Sequence, residues 1–462
     1  MNTNESELNT GEKHDAAVLF PQKELGAVGQ ARNVRWTRLW LFIAVVLPAV
    51  VAFGILYRQR ISVPYQDDYL VILAFADDYQ HLHGFTEKIL YVATAQTNDY
   101  KLGFLHFIVA LQLELTGGLN FGVLIIVGNC LLLVIAYLLW RVYRRDGSDL
   151  NQQLLEFIPV SLLFFSLVYW ESLNWAMAGI QNLSVIMFSL LAIYFLNFRW
   201  TKSPPFGALL LACCSAVLAA FSSANGFLLA AVGLFLLLRR HAVVRAGVWC
   251  AGFVLPLAAY RYHYIPFSVS VNIMHRGSYG GKIAYFFGFL GCAIQQRWVA
   301  GFLGLFILAL LLLATHFGFE RTHPVPFYFS LWILLTAALV ACLRQGIASR
   351  YSIYSLLLLI SCYWFLAQYL PTRSAAFSRK RVYTVSIVLA AVLCLASDIV
   401  AYGHLRERRD MVLSGLENYR ANPQVNTPLN NPETRQASPS EEGYERDTLN
   451  QAIAGHVYRL PE

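Results

Sequence analysis

Charge is scarce in this chain. Only 13% of its 462 residues are Asp, Glu, Lys or Arg, while 57% are hydrophobic. Soluble domains carry roughly 25% charged residues, so a free-standing soluble enzyme is excluded and an integral membrane protein is implied. The chain also lacks the long basic face that would grip nucleic acid. Its net charge of +8 comes largely from short basic clusters between apolar runs, the pattern of cytoplasmic loops in membrane proteins. Metal-ligand spacing is missing as well. The eight cysteines (Cys130, Cys213, Cys214, Cys250, Cys292, Cys342, Cys362 and Cys394) all lie in or beside apolar runs. They read as small buried hydrophobes rather than as zinc ligands or disulfides. No internal repeat is visible, which counts against the inverted-repeat transporter folds. A cleaved signal peptide is not expected, because the first apolar run starts far from Met1 and is long enough to span.

What the chain has in abundance is spanning hydrocarbon. Apolar runs recur from residues 39–57 to residues 382–401, separated by short loops. The expected fold is all-α: a polytopic transmembrane helical bundle of about 11–13 spans, with interfacial helices in the first outer loop. Two runs, residues 102–116 and 283–294, are too short to assign as crossings. Residues 1–37 are polar and read as a disordered cytoplasmic arm. Residues 38–401 form the membrane domain, and residues 402–462 a short extracytoplasmic tail. Arg32, Arg35 and Arg38 place the start of the first span inside, and the clusters at Arg141–Arg145, Arg239-Arg240 and Arg373–Arg381 repeat that signal. The expected location is the plasma (inner) membrane, with an inward N-terminus.

On this topology the stretch Ile61-Ser62-Val63-Pro64-Tyr65-Gln66-Asp67-Asp68-Tyr69 opens the first outer loop. Adjacent carboxylates at a membrane surface are costly to desolvate and suggest function. Asp67 or Asp68 suits a general base that takes the proton of an acceptor hydroxyl. Each also suits an N-cap on the first interfacial helix, and the two roles are compatible. Asp77-Asp78 reads instead as a solvated face.

A second constellation is basic and polar. Lys101, Arg276, Arg344 and Arg350 fall at or near the outer surface, and an arginine fork suits a phosphate held in place as it departs. Tyr351 follows Arg350 directly. Asn98, Asp99, Glu171, Asn174, Gln181 and Asn225 sit at outer helix ends, where carboxylates and amides suit sugar hydroxyls. Trp170 and Trp175 beside them suit the ring face.

These residues carry a resemblance. A first span, an acidic pair opening a long outer loop and many short-looped spans resemble the GT-C superfamily of membrane glycosyltransferases. The segments Gln66-Asp67-Asp68-Tyr69, Asn98-Asp99-Tyr100-Lys101, Ser222-Ser223-Ala224-Asn225-Gly226 and Ala348-Ser349-Arg350-Tyr351 look like recurrent positions of poorly characterised bacterial proteins of that type. The resemblance implies a polyprenyl-phosphate-linked sugar as donor, a cell-envelope glycan or lipid as acceptor, and Asp67 as catalytic base with Asp68 as fallback. No cofactor and no metal are expected, and no nucleic-acid partner. Two other classes compete: a polysaccharide polymerase or ligase, and a lipid-linked glycan flippase or transporter. The first would concentrate its arginines in one large outer loop, and the second would carry ionisable groups at mid-membrane depth.

Overall fold

A computed structural model describes residues 22–97, 100–144, 149–198, 204–265, 278–344, 346–373, 378–424 and 439–461. Among these the chain is helical throughout, as the apolar runs require: in hydrocarbon, backbone N–H and C=O groups must pair within the segment. In order the helices are α1 (Gln22–Gln59), α2 (Ala74–Gln80), α3 (Phe85–Thr94), α4 (Gly103–Thr116), α5 (Phe121–Tyr143), α6 (Leu150–Phe164), α7 (Trp170–Asn174), α8 (Ala176–Leu196), α9 (Phe206–Ser222) and α10 (Leu228–Arg239). They continue as α11 (Val243–Gly252), α12 (Val254–Arg261), α13 (Tyr279–Leu290), α14 (Arg297–His316), α15 (Phe319–Thr322), α16 (Pro324–Leu343), α17 (Ser352–Arg373), α18 (Arg379–Ala421) and α19 (Pro439–Ala454).

Among the described residues, nine stretches are helical, long and apolar enough to cross a membrane. The protein is therefore an all-α, multi-pass membrane bundle. Two shorter apolar helices, Phe206–Ser222 and Ala224–Arg239, stand between such stretches and are joined by a tight turn. Helix α8 is the hub, buried along most of its length and packed on α5 and α9. By contrast α1, α14 and the apolar part of α18 leave most of their surface uncovered, as lipid-facing helices do.

The two doubtful runs both form helices, and neither is among the nine stretches long and apolar enough to cross. Helix α4 starts beside Lys101, whose Nζ donates to the carbonyls of Ala259 (3.0 Å) and Tyr262 at the end of α12. It ends at a turn where the Leu119 N–H donates to the Val457 carbonyl at 2.7 Å. Its 14 residues span roughly 21 Å, short of the ~30 Å hydrocarbon layer. Helix α5 alone thus carries the chain from Asp68 to Arg144. Helix α13 begins at Ser278 and ends near Cys292, and both line one cavity. It lies tight on α14 because Gly304 has no side chain: a Cβ there would fall 1.9 Å from the Phe287 carbonyl oxygen. Small residues of this kind are how membrane helices approach closely.

A second hydrophobic cluster forms a layer over one end of the bundle. It joins Val63, Tyr65, Tyr69 and Ile72 of the first loop to Leu105 and Val109 of α4, Trp175 and Met177 at the α7–α8 junction, and Val412, Leu416, Leu449 and Tyr458 of the C-terminal segment. This layer sets the acidic stretch in place.

Candidate functional site: the Asp67 cavity and its arginine wall

The acidic pair is split by its backbone. Gln66 adopts a left-handed conformation with φ 46°, sparsely populated by residues with a side chain and often found where a site holds local strain. The turn is closed by the Asp68 N–H donating to the Tyr65 carbonyl at 3.0 Å, and a π-helical turn, Tyr69–Leu73, follows. The two neighbouring carboxylates consequently take opposite directions.

Asp68 goes inward. It is only 1% exposed. Its Oδ2 accepts the Tyr65 N–H (3.0 Å), and its Oδ1 accepts Trp175 Nε1–H (3.1 Å) and the Met177 N–H (3.0 Å). The side chain makes no cap bond to the turn that follows; it ties the first loop to the start of α8. Burial pushes its carboxyl up to about 7, against those hydrogen bonds and the positive charge of Arg408.

Asp67 goes outward, into a cavity of about 240 Å³. Its surface is exposed to that cavity, and among the described residues no group hydrogen-bonds its carboxylate. The cavity walls still strip it of water, so its carboxyl lies above the usual carboxylate range, while Arg350 and then Arg344 pull the other way. A carboxylate without a protein partner is available to a substrate.

The same cavity gathers Gln181, Asn225, Arg344, Arg350 and Tyr351 around Asp67, with Tyr100, Asn182, Thr336 and Tyr354. Each has a local cause. Asn225 lies in the tight α9–α10 turn, where Gly226 is needed because a Cβ would fall 2.2 Å from the Ala219 carbonyl oxygen. Its Nδ2 donates to Tyr354 Oη at 3.2 Å, its carbonyl accepts Trp332 Nε1–H at 3.1 Å, and its Oδ1 is buried without a partner. Arg344 follows α16 and donates to Tyr100 Oη at 3.0 Å. Glu171 holds Arg350, accepting its backbone N–H at 3.2 Å and pairing with its guanidinium at 3.5 Å. That guanidinium lies 5.4 Å from the Trp175 ring and 5.5 Å from the Tyr351 ring.

Behind the arginines lies a second, larger cavity of about 870 Å³, and Arg344 and Arg350 line both. Its polar lining adds Gln66, Lys282, Arg297 and His404, with Glu171 as the only acid among the described residues that line it; α13 and the end of α16 supply apolar wall through Tyr285, Gly288 and Ala341. A larger cationic chamber, walled in part by apolar side chains, thus adjoins a smaller chamber that holds a free carboxylate.

The remaining sequence candidates divide. Lys101 is fully buried on the α12 carbonyls and lines neither cavity. Asn174 is buried too, its Nδ2 donating to the Gln59 carbonyl at 3.3 Å, and it also lines neither. Asn98, Asp99 and Arg276 lie outside the described residues. Among described residues no group of three or more His, Cys, Asp or Glu is placed to hold a metal ion. Thr336, Tyr354, Lys282 and His404 were not anticipated. For Thr336 and Tyr354 the one available signal was a polar group within an apolar run. No protein-family model, curated protein or solved structure matches the chain.

Proposed function

We propose that this protein is a membrane glycosyltransferase that moves a sugar from a polyprenyl-phosphate carrier to a hydroxyl of a cell-envelope glycan or lipid, with Asp67 as general base. The observation that carries the reading is the unpaired Asp67 carboxylate sharing one cavity with two arginines that also wall a larger cationic chamber. The donor's phosphate lies against Arg344 and Arg350, its lipid along the apolar wall of the larger chamber, and the acceptor in the smaller one among Gln181, Asn182 and Asn225. Asp67 takes the proton of the acceptor hydroxyl as its oxygen bonds to the anomeric carbon. The bond from that carbon to the phosphate oxygen breaks, and the electron pair leaves on a phosphate whose charge the arginines offset. A carboxyl held above its ordinary range is a stronger base once ionised, which favours this role. The catalytic face is extracytoplasmic on this reading, in a plasma (inner) membrane.

A transporter reading is less well supported. The buried acids of the spans are already occupied: Glu156 accepts Tyr383 Oη–H at 2.5 Å and Gln152 Nε2–H at 2.8 Å, and Asp398 accepts Ser166 and Leu167.

Replacing Asp67 by Asn keeps its size and removes the proton acceptor. Transfer from a polyprenyl-phosphate sugar in membranes, normalised to protein level, should fall about 10²- to 10⁴-fold. Undiminished transfer by Asp67→Asn would remove the base from the mechanism.

A further inference from the structure

We propose that the C-terminal segment is a strap that fixes the Asp67 loop, with Arg408 as its positioning residue; its link to catalysis rests on the reading above. Helix α18 has 43 residues and is roughly 65 Å long, about twice what a ~30 Å hydrocarbon layer needs. Its surplus turns run over the first loop. There Arg408 is only 7% exposed, and its guanidinium sits 3.9 Å from the Tyr65 ring centroid. One of its nitrogens, Nη1, has no hydrogen-bond partner among the described residues. A buried cation without a bonded carboxylate is costly, and here the offset comes from the Tyr65 face and the nearby charge of Asp68. Tyr65 and Asp68 are the two ends of the turn that aims Asp67 into its cavity.

The chain then returns to the same loop. Helix α19 packs on the π-helical turn after Asp68. Beyond it, Tyr458 Oη–H donates to the Ser62 carbonyl at 2.6 Å. Arg409 adds a bond to the Arg58 carbonyl. The loop is thereby gripped before, at and after Asp67 by residues more than 300 positions away. Each of these bonds is modest alone. Together they fix a turn that contains a left-handed Gln66, and a displacement of ~1 Å at a reacting group can cost about 10²-fold in rate.

The test measures hydrogen exchange and transfer on the full-length protein in lipid nanodiscs. In Arg408→Met, amide exchange in residues 61–73 should rise tenfold or more while the spans keep their protection, and Arg408→Lys should recover most of it. Tyr458→Phe, which loses only the bond to Ser62, should raise exchange in the same residues by less. With a polyprenyl-phosphate sugar, Arg408→Met should lower kcat about 10- to 100-fold with KM changed less than about threefold. Unchanged exchange in residues 61–73 in both Arg408→Met and Tyr458→Phe would overturn the strap. Raised exchange with unaltered kcat would remove Arg408 as a positioning residue. Should Arg408→Met lose protection everywhere, Tyr458→Phe decides. Raised exchange in a wild-type background that transfers no sugar would leave the strap standing and overturn the glycosyl-transfer reading.

Discussion

Two adjacent aspartates have been given different work by one turn. Asp67 keeps a carboxylate free of hydrogen bonds from the described residues, and Asp68 gives its own to three protein donors. The sequence announces the pair, but nothing in it says which of the two faces the cavity, because the left-handed Gln66 carries no glycine or asparagine signature. A pH dependence follows from Asp68. Its carboxyl is about 3.8 when free and rises to about 7 in the fold through desolvation. The folded state therefore binds this proton more tightly than the unfolded chain, so the contribution to stability is full below about pH 4 and is lost as pH rises towards about 7. The thermal unfolding midpoint of the purified protein should be lower at about pH 8 than at about pH 5. Asp67 is shifted in the same direction, so the two are separated by Asp68→Asn, in which the difference between the two pH values should shrink. The variant itself should be less stable by about 1–3 kcal/mol, since an amide NH₂ in place of Oδ2 confronts the Tyr65 N–H. An undiminished pH difference in Asp68→Asn would assign the dependence to other groups.

At the scale of elements, the apolar runs were legible as helices, with some ends off by several residues, whereas the breaks were not. Residues 154–170 read as one continuous span, yet α6 ends at Phe164 and a 3₁₀ turn, Leu167–Tyr169, leads into α7. The cause lies 232 positions away. Asp398 of α18 accepts Ser166 Oγ–H at 2.7 Å and the Leu167 N–H at 2.6 Å, supplying the acceptor that a broken helix needs inside a bundle. The break turns Glu171 towards Arg350, so a single half-buried carboxylate shapes the arginine wall from afar. Helix α4 was illegible for a similar reason. Its composition suits a span, but Glu114 near its end is held by Lys88 at 2.7 Å and Tyr79 at 3.1 Å, contacts that the sequence does not announce. Asp398→Ala should strand two buried donors and destabilise the protein by about 1–3 kcal/mol for each. Asp398→Asn, which retains one carbonyl acceptor, should be milder. Thermal unfolding of both variants in detergent checks this, and equal midpoints for Asp398→Ala and wild type would contradict it.

At the scale of the whole molecule, the helices fix which groups share a face but not which face is outside. Asp67, the turn at residues 117–120, the turn around Asn225, the Arg344–Arg350 wall and the C-terminal segment all lie together. After an odd number of passes, Arg144, Arg239 and Arg379 lie at the other end. The sidedness comes from charge. Basic residues in short loops are retained in the cytoplasm, and Arg141, Arg144, Arg239, Arg240, Arg379, Lys380 and Arg381 all belong to that second end. Arginines also occur on the Asp67 face: Arg350 is paired with Glu171 and Arg408 is covered by Tyr65, while Arg58, Arg344 and Arg406 are exposed. The segment from Tyr402 onward holds seven Lys/Arg against nine Asp/Glu, 7 − 9 = −2, which does not oppose export. In a background without native cysteines, a cysteine at Ser440 should react with an impermeant maleimide on intact cells. A cysteine at Lys380 should react only after permeabilisation. The reverse pattern would turn the whole bundle over. The Asp67 cavity would then open to the cytoplasm, and the extracytoplasmic lipid-linked donor proposed for it would have no route in.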